Sequence, residues 1–432
     1  MIANNYDLPL PYARPGTFWK DAMNTTPGAS LEDLRNRLVD AILQEDVSGL
    51  RDAGVETAMR TVPRHAFLPD APLEEAYANR SVTIKENPDE DALPLSCASQ
   101  PDVVHFMLVQ LAVREGDNVF EIGAGTGYNA ALLKHLTGKS GQVTTCDIDP
   151  DATAYTRRML DANGCRDVRV VTQDGALGAL RFRPYDRVIA TVGMWDLPGA
   201  WWDQLAVGGR LVVPLRWRGL SRAVAFQREE GVMRSDSVKM CGFLPVIGQD
   251  GERNDYIDDD RLVRLYWDED QSIALLDLLR NVLIRPKSLA WTDVTVGPVE
   301  SFDGVWLRLS ATERTTCRIT AKPAAMEAGL HRPASPALSP ALVEGDSIAY
   351  LTLERTTEDS EKEPQFRLGA VGYGAAGADL AERICAQIRA WSPARTAEPV
   401  VTAYPADTPD SDLADGAVID RPSVRLVIAY RP

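Results

Sequence analysis

The 432-residue sequence has few cysteines and histidines, and none of them shows the spacing of a metal site. Its six cysteines are scattered at positions 97, 146, 165, 241, 317 and 385, and no two form a C-x-x-C pair. The four histidines do not have metal-ligand spacing either. We therefore expect no metal and no disulfide scaffold, because disulfide frameworks are typical of short secreted chains.

Long apolar runs are also missing. No segment reaches the ~18 consecutive apolar residues that a membrane-spanning helix needs. The first residues, MIANNYDLPLPYARPG, have neither the basic region nor the apolar region of a secretory signal. These absences predict a cytoplasmic protein with reduced thiols.

Basic residues are outnumbered: 46 Lys and Arg stand against 62 Asp and Glu, a formal net charge of −16. Such a surface repels nucleic-acid phosphates and anionic lipid headgroups, so we expect neither nucleic acid nor membrane as a partner. Aromatic residues make up only 7% of the chain, although three tryptophans crowd into residues 195–202. A buried core cluster is the ordinary interpretation of these tryptophans, and a binding wall is the alternative.

Short β-branched segments alternate with helical patterns between residues 101 and 217. The predicted strands are NVFEIG, QVTTCD, DVRVVTQD, YDRVIATVG and RLVVPLRW. This alternation predicts βαβ units, and therefore an α/β fold with a parallel central sheet covered on both faces. Such sheets bind ligands at the carboxyl ends of their strands.

The pattern changes near residue 240. SIALLDLLRNVLI and ADLAERICAQIRAW predict helices, whereas DGVWLRLSAT, DSIAYLTLERT and SVRLVIAY predict half-buried strands, with HRPASPALSPAL as a linker. A length of 432 residues suits more than one domain. We expect an irregular segment and a helix over residues 1–54, an α/β domain over 55–239, and a separate α+β domain over 240–432.

The segment VFEIGAGTGYNAALL runs from a predicted strand through three glycines into a predicted helix. Glycines at this turn allow a ligand to approach the backbone, although turns also use glycine for positive φ. Acidic residues follow at successive strand ends: Glu121 before the turn, Asp147 after the next strand and Asp174 after the third. Each acid alone fits a surface or capping role, whereas the three together favour an adenosine-containing ligand.

This combination resembles the S-adenosylmethionine site of Rossmann-like methyltransferases. The resemblance implies S-adenosylmethionine as cofactor and S-adenosylhomocysteine as its product, with the methionine part at the glycine turn, the ribose at Asp147 and the adenine at Asp174. No feature suggests phosphate binding, which favours this cofactor over NAD or ATP. The cofactor contacts implied are Glu121, Gly123, Ala124, Gly125, Thr126, Gly127, Asp147, Ile148, Asp174 and Gly175.

Further motifs narrow the resemblance. VPRHAFLPD (62–70), AYANRSVTI (76–84), SQPDVV (99–104), DGALG (174–178) and GGRLVVPL (208–215) occur in the order typical of protein-L-isoaspartate O-methyltransferases. The similarity covers roughly residues 55–230. It implies transfer of a methyl group to a carboxylate in a peptide or protein substrate.

The family resemblance also implies a substrate wall. Ser99 matches the family's substrate-contacting serine, which assigns it the catalytic role here, although it can also cap the helix that begins near Pro101. The family's Thr-Ile pair is replaced by Cys97-Ala98, and its usual acid by Asn79. The implied substrate-binding residues are Cys97, Ala98, Ser99, Met194 and Trp195.

The extra residues 240–432 resemble the layout of methyltransferases found with lanthipeptides and other ribosomally made, modified peptides. That resemblance implies methylation of an Asp side chain in a cyclised precursor peptide, leading to aspartimide or isoaspartate, with residues 240–432 as a substrate-recognition or accessory domain. The alternative is a general isoaspartate repair enzyme. A non-catalytic scaffold is disfavoured because Asp147 and Asp174 are present, and the VPRHAF and SQP segments favour a peptide over a small-molecule acceptor.

Overall fold

The structure is a computed structural model that describes residues 30–45, 48–88, 93–249, 251–269, 271, 276–298, 300–327, 329, 338–356 and 364–430. The α-helices are α1 (Leu31–Glu45), α2 (Ala53–Thr61), α3 (Leu73–Ala76), α4 (Pro101–Leu111), α5 (Tyr128–Thr137), α6 (Pro150–Ala162), α7 (Gly199–Gln204), α8 (Leu276–Leu279), α9 (Asp303–Thr312), α10 (Pro323–Glu327) and α11 (Gly377–Trp391).

The strands of the first half are β1 (Val82–Lys85), β2 (Ser96–Ala98), β3 (Asn118–Ile122), β4 (Gln142–Asp147), β5 (Arg169–Thr172), β6 (Tyr185–Ala190), β7 (Leu205–Trp217), β8 (Leu220–Arg228) and β9 (Met233–Met240). Those of the second half are β10 (Glu252–Tyr256), β11 (Val263–Asp268), β12 (Lys287–Val296), β13 (Thr316–Ala321), β14 (Leu338–Glu344), β15 (Ser347–Arg355), β16 (Phe366–Tyr373), β17 (Val400–Pro405), β18 (Ala417–Asp420) and β19 (Val424–Ala429).

The larger sheet has ten strands in the order β18-β19-β17-β9-β8-β7-β6-β3-β4-β5. Its strands β7, β6, β3, β4 and β5 are parallel, which confirms the predicted α/β fold. Successive residues of β3 bury on opposite faces: Val119 packs in one hydrophobic cluster and Phe120 in the other. Both faces of this sheet are therefore covered, as expected for crossover connections through helices.

The second sheet has seven antiparallel strands in the order β10-β11-β13-β14-β15-β16-β12. Helix α11 packs against it through Leu380, Ile384, Ile388 and Trp391, all buried and spaced at helical period. This confirms the amphipathic helix predicted from ADLAERICAQIRAW.

Two predicted elements after residue 240 are wrong. DGVWLRLSAT forms helix α9 and not a strand. The helix lies between the two cores, because Trp306 and Leu307 pack in the first sheet's cluster while Val305 and Leu309 pack in the second sheet's cluster. Apolar residues on both sides of a helix remove the 3.6-residue pattern, which explains the strand-like alternation.

The apolar segment SIALLDLLRNVLI does not form one helix in its described part. Helix α8 ends at Leu279, Asn281 takes a left-handed φ of 57°, and a 3₁₀ turn follows over Val282–Ile284. Residues 272–275 of this prediction lie outside the described residues, as do residues 1–29 and most of the predicted linker. The described end of that linker begins strand β14.

The sheet boundaries differ from the predicted division after residue 239. Strands β17, β18 and β19 extend the first sheet, since β17 pairs with β9 through Thr402 and Ala403. Side chains of these last strands, such as Leu426, share a hydrophobic cluster with Phe120 of β3. The end of the chain therefore completes the core of the first sheet.

A buried ion pair joins the two sheets. Arg421 donates to Asp268 at 2.8 Å, and neither side chain has more than 2% of its surface exposed. The amide of Arg218 also donates to both Asp268 oxygens, and the Arg421 guanidinium lies 3.7 Å from the centre of the Trp195 ring. Removing one partner of such a pair leaves a buried charge and costs about 3–5 kcal/mol.

In the part of the chain that the structure describes, no helix combines the length and apolar character of a membrane span. All six cysteines are free thiols.

Candidate active site

A cleft of about 1950 Å³ opens where the parallel strands β3, β4 and β6 end. The carboxyl ends of parallel strands meet at one edge of a sheet, and ligand sites form there. Residues 123–126 after β3, residues 146–150 at the end of β4, and Thr191 and Val192 after β6 all line this cleft. The antiparallel pair β1–β2 and residues 242–247 enclose it from other sides.

The three glycines of the turn have different roles. A Cβ at Gly123 would lie 2.6 Å from Thr191 Oγ1, and a Cβ at Gly127 would lie 3.1 Å from Thr156 Cγ2. Protein atoms therefore crowd these two positions. Gly125, with φ of +52°, has no protein atom within 4 Å of its Cβ position and lines the cleft. Of the three, only Gly125 leaves space that a ligand can use.

Asp147 is held beside this open glycine. Its Oδ2 accepts a hydrogen bond from the Gly125 amide at 3.3 Å, and its Oδ1 accepts one from the Asp149 amide at 3.1 Å. The carboxylate is half-buried and lines the cleft. A carboxylate has about four lone-pair sites, so two backbone donors leave capacity for two hydroxyl groups.

Asp174 and its neighbours form the next part of the wall. The Asp174 side chain accepts a hydrogen bond from the Ala176 amide at 2.9 Å and remains exposed. Ile148 is 45% exposed and also lines the cleft. A Cβ on Gly175 would lie 2.4 Å from Ile122 Cγ2, so this glycine is required by packing.

Glu121 lies beneath the turn and does not line the cleft. It is fully buried, its Oε1 accepts a hydrogen bond from Asn129 at 2.7 Å, and its Oε2 has no partner among the described residues. Burial raises the pKa of Glu121 to about 7, against smaller lowering effects of Thr145 and Asn129. Gly127 is likewise absent from the lining, whereas Ala124 and Thr126 are part of it.

The predicted substrate loop reaches the cleft. Cys97, Ala98 and Ser99 all line it. Ser99 does not cap helix α4, because Gln100 is the N-cap residue and makes no side-chain cap bond. Asn79 accepts a hydrogen bond at the start of α4 in place of an N-cap side chain: its Oδ1 accepts the amide hydrogen of Asp102 at 3.0 Å.

The Cys97 thiol is not activated. Burial raises the pKa of Cys97, and the opposing effect of Arg64 is smaller. Because the nucleophilic form of cysteine is the thiolate, this side chain is a wall residue and not a nucleophile.

Met194 and Trp195 are not part of the cleft wall, which corrects the prediction for both. They are buried in contact with the protein's own chain: Met194 pairs with Pro214 and Arg216, and Trp195 stacks under Arg421. The wall is instead formed by residues 242–247, here called the arm. The arm is bound to Gly193 through the Leu244 carbonyl and the Val246 amide, at 2.7 and 2.9 Å.

Several lining residues were missed by sequence reasoning. They include Arg64, Tyr128, Asn129, Lys85 and the arm. Arg64 had a signal, because a charged residue stands within the apolar segment VPRHAFLP. The arm had none, since its place depends on pairing with the distant Gly193.

The cleft fits the cofactor expected from the sequence. The open space at Gly125, the spare acceptor sites of Asp147 and the exposed Asp174 and Ile148 follow one another along the strand ends. Within the described ranges, no group of three or more His, Cys, Asp or Glu side chains is placed to hold a metal ion.

The chain is similar in sequence to known proteins. A family model described as "Protein-L-isoaspartate(D-aspartate) O-methyltransferase (PCMT)" matches residues 35–251. A protein-L-isoaspartate O-methyltransferase of Syntrophotalea carbinolica is 35% identical over 206 residues, which cover 47% of this chain and 89% of that protein. One from Methanoregula boonei is 36% identical over 222 residues, covering 51% and 96%.

A solved protein-L-isoaspartate O-methyltransferase structure aligns with 85% of this chain and 96% of its own, at 19% identity and a TM-score of 0.46. The sequence relatives match only about half of the chain, so residues beyond 251 have no counterpart in the family model.

Proposed function

The chain belongs to the protein-L-isoaspartate O-methyltransferase family, and we propose that it transfers a methyl group from S-adenosylmethionine to a carboxylate of a peptide or protein substrate. The observation that carries this proposal is the pairing of Asp147 with the open Gly125 at the carboxyl edge of the parallel sheet. In this proposal Asp147 binds the ribose hydroxyls, the Gly125 backbone faces the methionine part, and Asp174 and Ile148 contact the adenine.

The proposed reaction mainly requires that the acceptor carboxylate and the cofactor be held in the correct orientation. When bound, the cofactor supplies an electrophilic methyl group on a sulfonium centre. The acceptor carboxylate is already ionised near pH 7, so no strong base is needed. Ser99 donates a hydrogen bond to one carboxylate oxygen and thereby directs the other toward the methyl carbon. Holding reactants in line and excluding water is the main contribution expected of the cleft.

The methyl ester that this reaction forms undergoes two further steps. A backbone amide nitrogen attacks the ester carbonyl, methanol leaves, and a succinimide ring forms. Water then opens the ring to Asp or isoaspartate. The family activity, methylation of isoaspartyl residues in proteins, is the substrate assignment that the relatives' names support.

The second candidate function is the same reaction on a more specific substrate. Cys97-Ala98 replaces the family's Thr-Ile at the cleft wall, and the arm, which belongs to the residues beyond 240, forms another part of that wall. We infer from these two features that the substrate is an Asp side chain in a cyclised precursor peptide of the lanthipeptide type. In this form of the proposal, residues 240–432 recognise the precursor, through the arm and the surfaces next to it.

A methyl-transfer assay separates the two candidates. The protein is incubated with radiolabelled S-adenosylmethionine and either a short isoaspartyl peptide, its Asp counterpart, or a cyclised Asp-containing precursor. Base-labile label on arbitrary isoaspartyl peptides supports the family activity. Label on the cyclised precursor alone supports the narrower substrate, and no label on any peptide contradicts the proposal.

A further inference from the structure

Arg64 is a buried cation on the cleft wall, and no described residue gives it an anionic partner. It begins the 3₁₀ turn Arg64–Phe67 and has 1% of its surface exposed. Its Nε donates to the Ala76 carbonyl at 3.0 Å, while its Nη2 is buried and has no hydrogen-bond partner among the described residues. Arg64 lines the cleft.

The neighbours of Arg64 do not neutralise it. The ionisable groups that act on its charge are Tyr128, Cys97 and Tyr77. Burial raises the pKa of all three, to about 12 for Tyr128, so they are uncharged near pH 7. The Tyr128 ring lies 5.4 Å from the guanidinium carbon and offers only a cation–π contact.

Three other buried arginines of this chain each pair with a carboxylate. Arg187 pairs with Asp117 at 3.3 Å, Arg222 with Asp303 at 2.5 Å and Arg421 with Asp268 at 2.8 Å. A buried charge without a partner is costly, and proteins keep such a group rarely unless a ligand completes it. Arg64, in contrast to these three, has no carboxylate partner among the described residues and lies on the wall of the cleft.

The position of Arg64 between two loops indicates which ligands can reach it. Cys97, which acts on its charge, lies two residues before Ser99, and residues two apart along an extended segment face the same side. Tyr128 follows directly after the glycine turn. The neighbours of the guanidinium therefore include residues next to Ser99 and next to the glycine turn.

We propose that Arg64 binds a carboxylate that enters the cleft with a ligand, by charge-assisted hydrogen bonds. This rests on the proposed function, which provides two sources of that anion: the acceptor carboxylate of the peptide and the aminocarboxylate of the cofactor. Arginine suits either, because its planar fork matches a carboxylate with two parallel bonds. No bond is made or broken at Arg64; it positions the ligand.

The test compares Arg64→Met, which removes the charge, with Arg64→Lys, which keeps it. Three quantities are measured: the Kd of S-adenosylhomocysteine, the Kd of methylthioadenosine, which lacks the aminocarboxylate, and the KM of the isoaspartyl peptide. Loss of one charged hydrogen-bonded pair corresponds to a change of about 10- to 100-fold. Arg64→Lys is expected to recover part of it.

The two possible sources of the carboxylate, the peptide and the cofactor, predict different changes in these binding constants. If the peptide supplies the carboxylate, Arg64→Met raises the peptide KM and leaves both Kd values unchanged. The variant then also loses the preference for an isoaspartyl peptide over its uncharged carboxamide analogue as a competitive ligand. If the cofactor supplies it, the Kd of S-adenosylhomocysteine rises while that of methylthioadenosine does not.

The control is Arg187→Met, which removes a buried, paired arginine near the opposite edge of the sheet. It should lower the unfolding temperature without changing ligand discrimination. The inference is overturned if Arg64→Met binds every ligand as the wild type does, or weakens the charged and uncharged members of each pair equally. An inactive wild-type protein that binds no S-adenosylhomocysteine would instead contradict the proposed function.

Discussion

Asp147 and Gly125 are joined across the turn by a hydrogen bond of 3.3 Å from the glycine amide to Oδ2 of the carboxylate. The bond fixes an acidic side chain beside the one glycine of the turn whose Cβ position is free of protein atoms. The Gly125 backbone and the Asp147 carboxylate, which can still accept further hydrogen bonds, therefore border the same part of the cleft.

The contrast between Gly125 and Gly127 is testable with two alanine variants. Both residues have positive φ, so each alanine incurs backbone strain of about 1–2 kcal/mol. Gly127→Ala adds a contact of 3.1 Å with Thr156 and should lower stability further. Gly125→Ala should lose less stability and more S-adenosylhomocysteine affinity. Thermal unfolding and calorimetry measure the two effects, and equal affinity loss in both variants would contradict the assignment of Gly125.

Glu121 predicts a specific pH dependence of stability. Its folded pKa of about 7 lies above the ordinary value of 4.5, so the folded protein holds a proton that the unfolded chain releases between these values. The stability is fully present below pH 4.5 and falls as the pH rises through 7, by about 3 kcal/mol at 1.36 kcal/mol per pKa unit. Glu121→Gln should remove this fall in urea-unfolding measurements between pH 4.5 and 8. An unchanged slope would mean that Glu121 ionises normally.

Ser99→Ala tests the positioning of the acceptor. Ser99 lines the cleft and does not cap α4, so its loss should spare the fold. We expect turnover to fall about 10- to 100-fold, in line with about 1.5–3 kcal/mol for one hydrogen bond to a charged group, while the Kd of S-adenosylhomocysteine stays constant. Ser140→Ala, on the exposed turn before β4, is the control. Full activity of Ser99→Ala would remove the hydroxyl from the reaction.

Gln249→Ala tests the arm. Gln249 Oε1 accepts the amides of Trp195 and Asp196 at 2.7 and 3.0 Å, which holds the chain just beyond the arm. Without it the arm loses its position and two donors lose their partner, so the peptide KM should rise several-fold while cofactor affinity is unchanged. Gln227→Ala, on β8, is the matched control. A loss confined to cofactor affinity would show that the arm does not contact the peptide.

The cofactor side of the site could be predicted because its residues are encoded locally. The glycine turn, Asp147 and Asp174 each follow a strand, and the ends of parallel strands meet at one edge. The rule that ligands bind at the carboxyl ends of parallel strands also predicts the position of the cleft. It could not show that Gly123 and Gly127 are required by contacts with Thr191 and Thr156, which come from other elements.

The substrate side could not be predicted as fully, because it is assembled from distant segments. Met194 pairs with Pro214 and Arg216 of β7, and Trp195 lies under Arg421 from near the end of the chain, so no local pattern indicates that these side chains are buried. Helix α9 was missed for a related reason: its burial between two cores depends on both sheets being present.

The position of the last three strands, β17 to β19, could not be predicted from the sequence either. SVRLVIAY correctly predicts a strand, but the sequence does not say which sheet it joins. In the structure it extends the first sheet through β17 and β9. Removing residues 240–432 would therefore remove Leu426 and expose the core residues that it packs with, such as Phe120, so point variants of the arm are the cleaner test of substrate recognition.

Calorimetric titration of S-adenosylhomocysteine into the folded protein and into Asp147→Ala tests the central claim most directly. The account predicts saturable binding of one ligand per chain, a dissociation constant raised about 10- to 100-fold by Asp147→Ala, and no binding of NAD. Absence of binding to well-folded wild-type protein, or equal affinity of the variant, would contradict it.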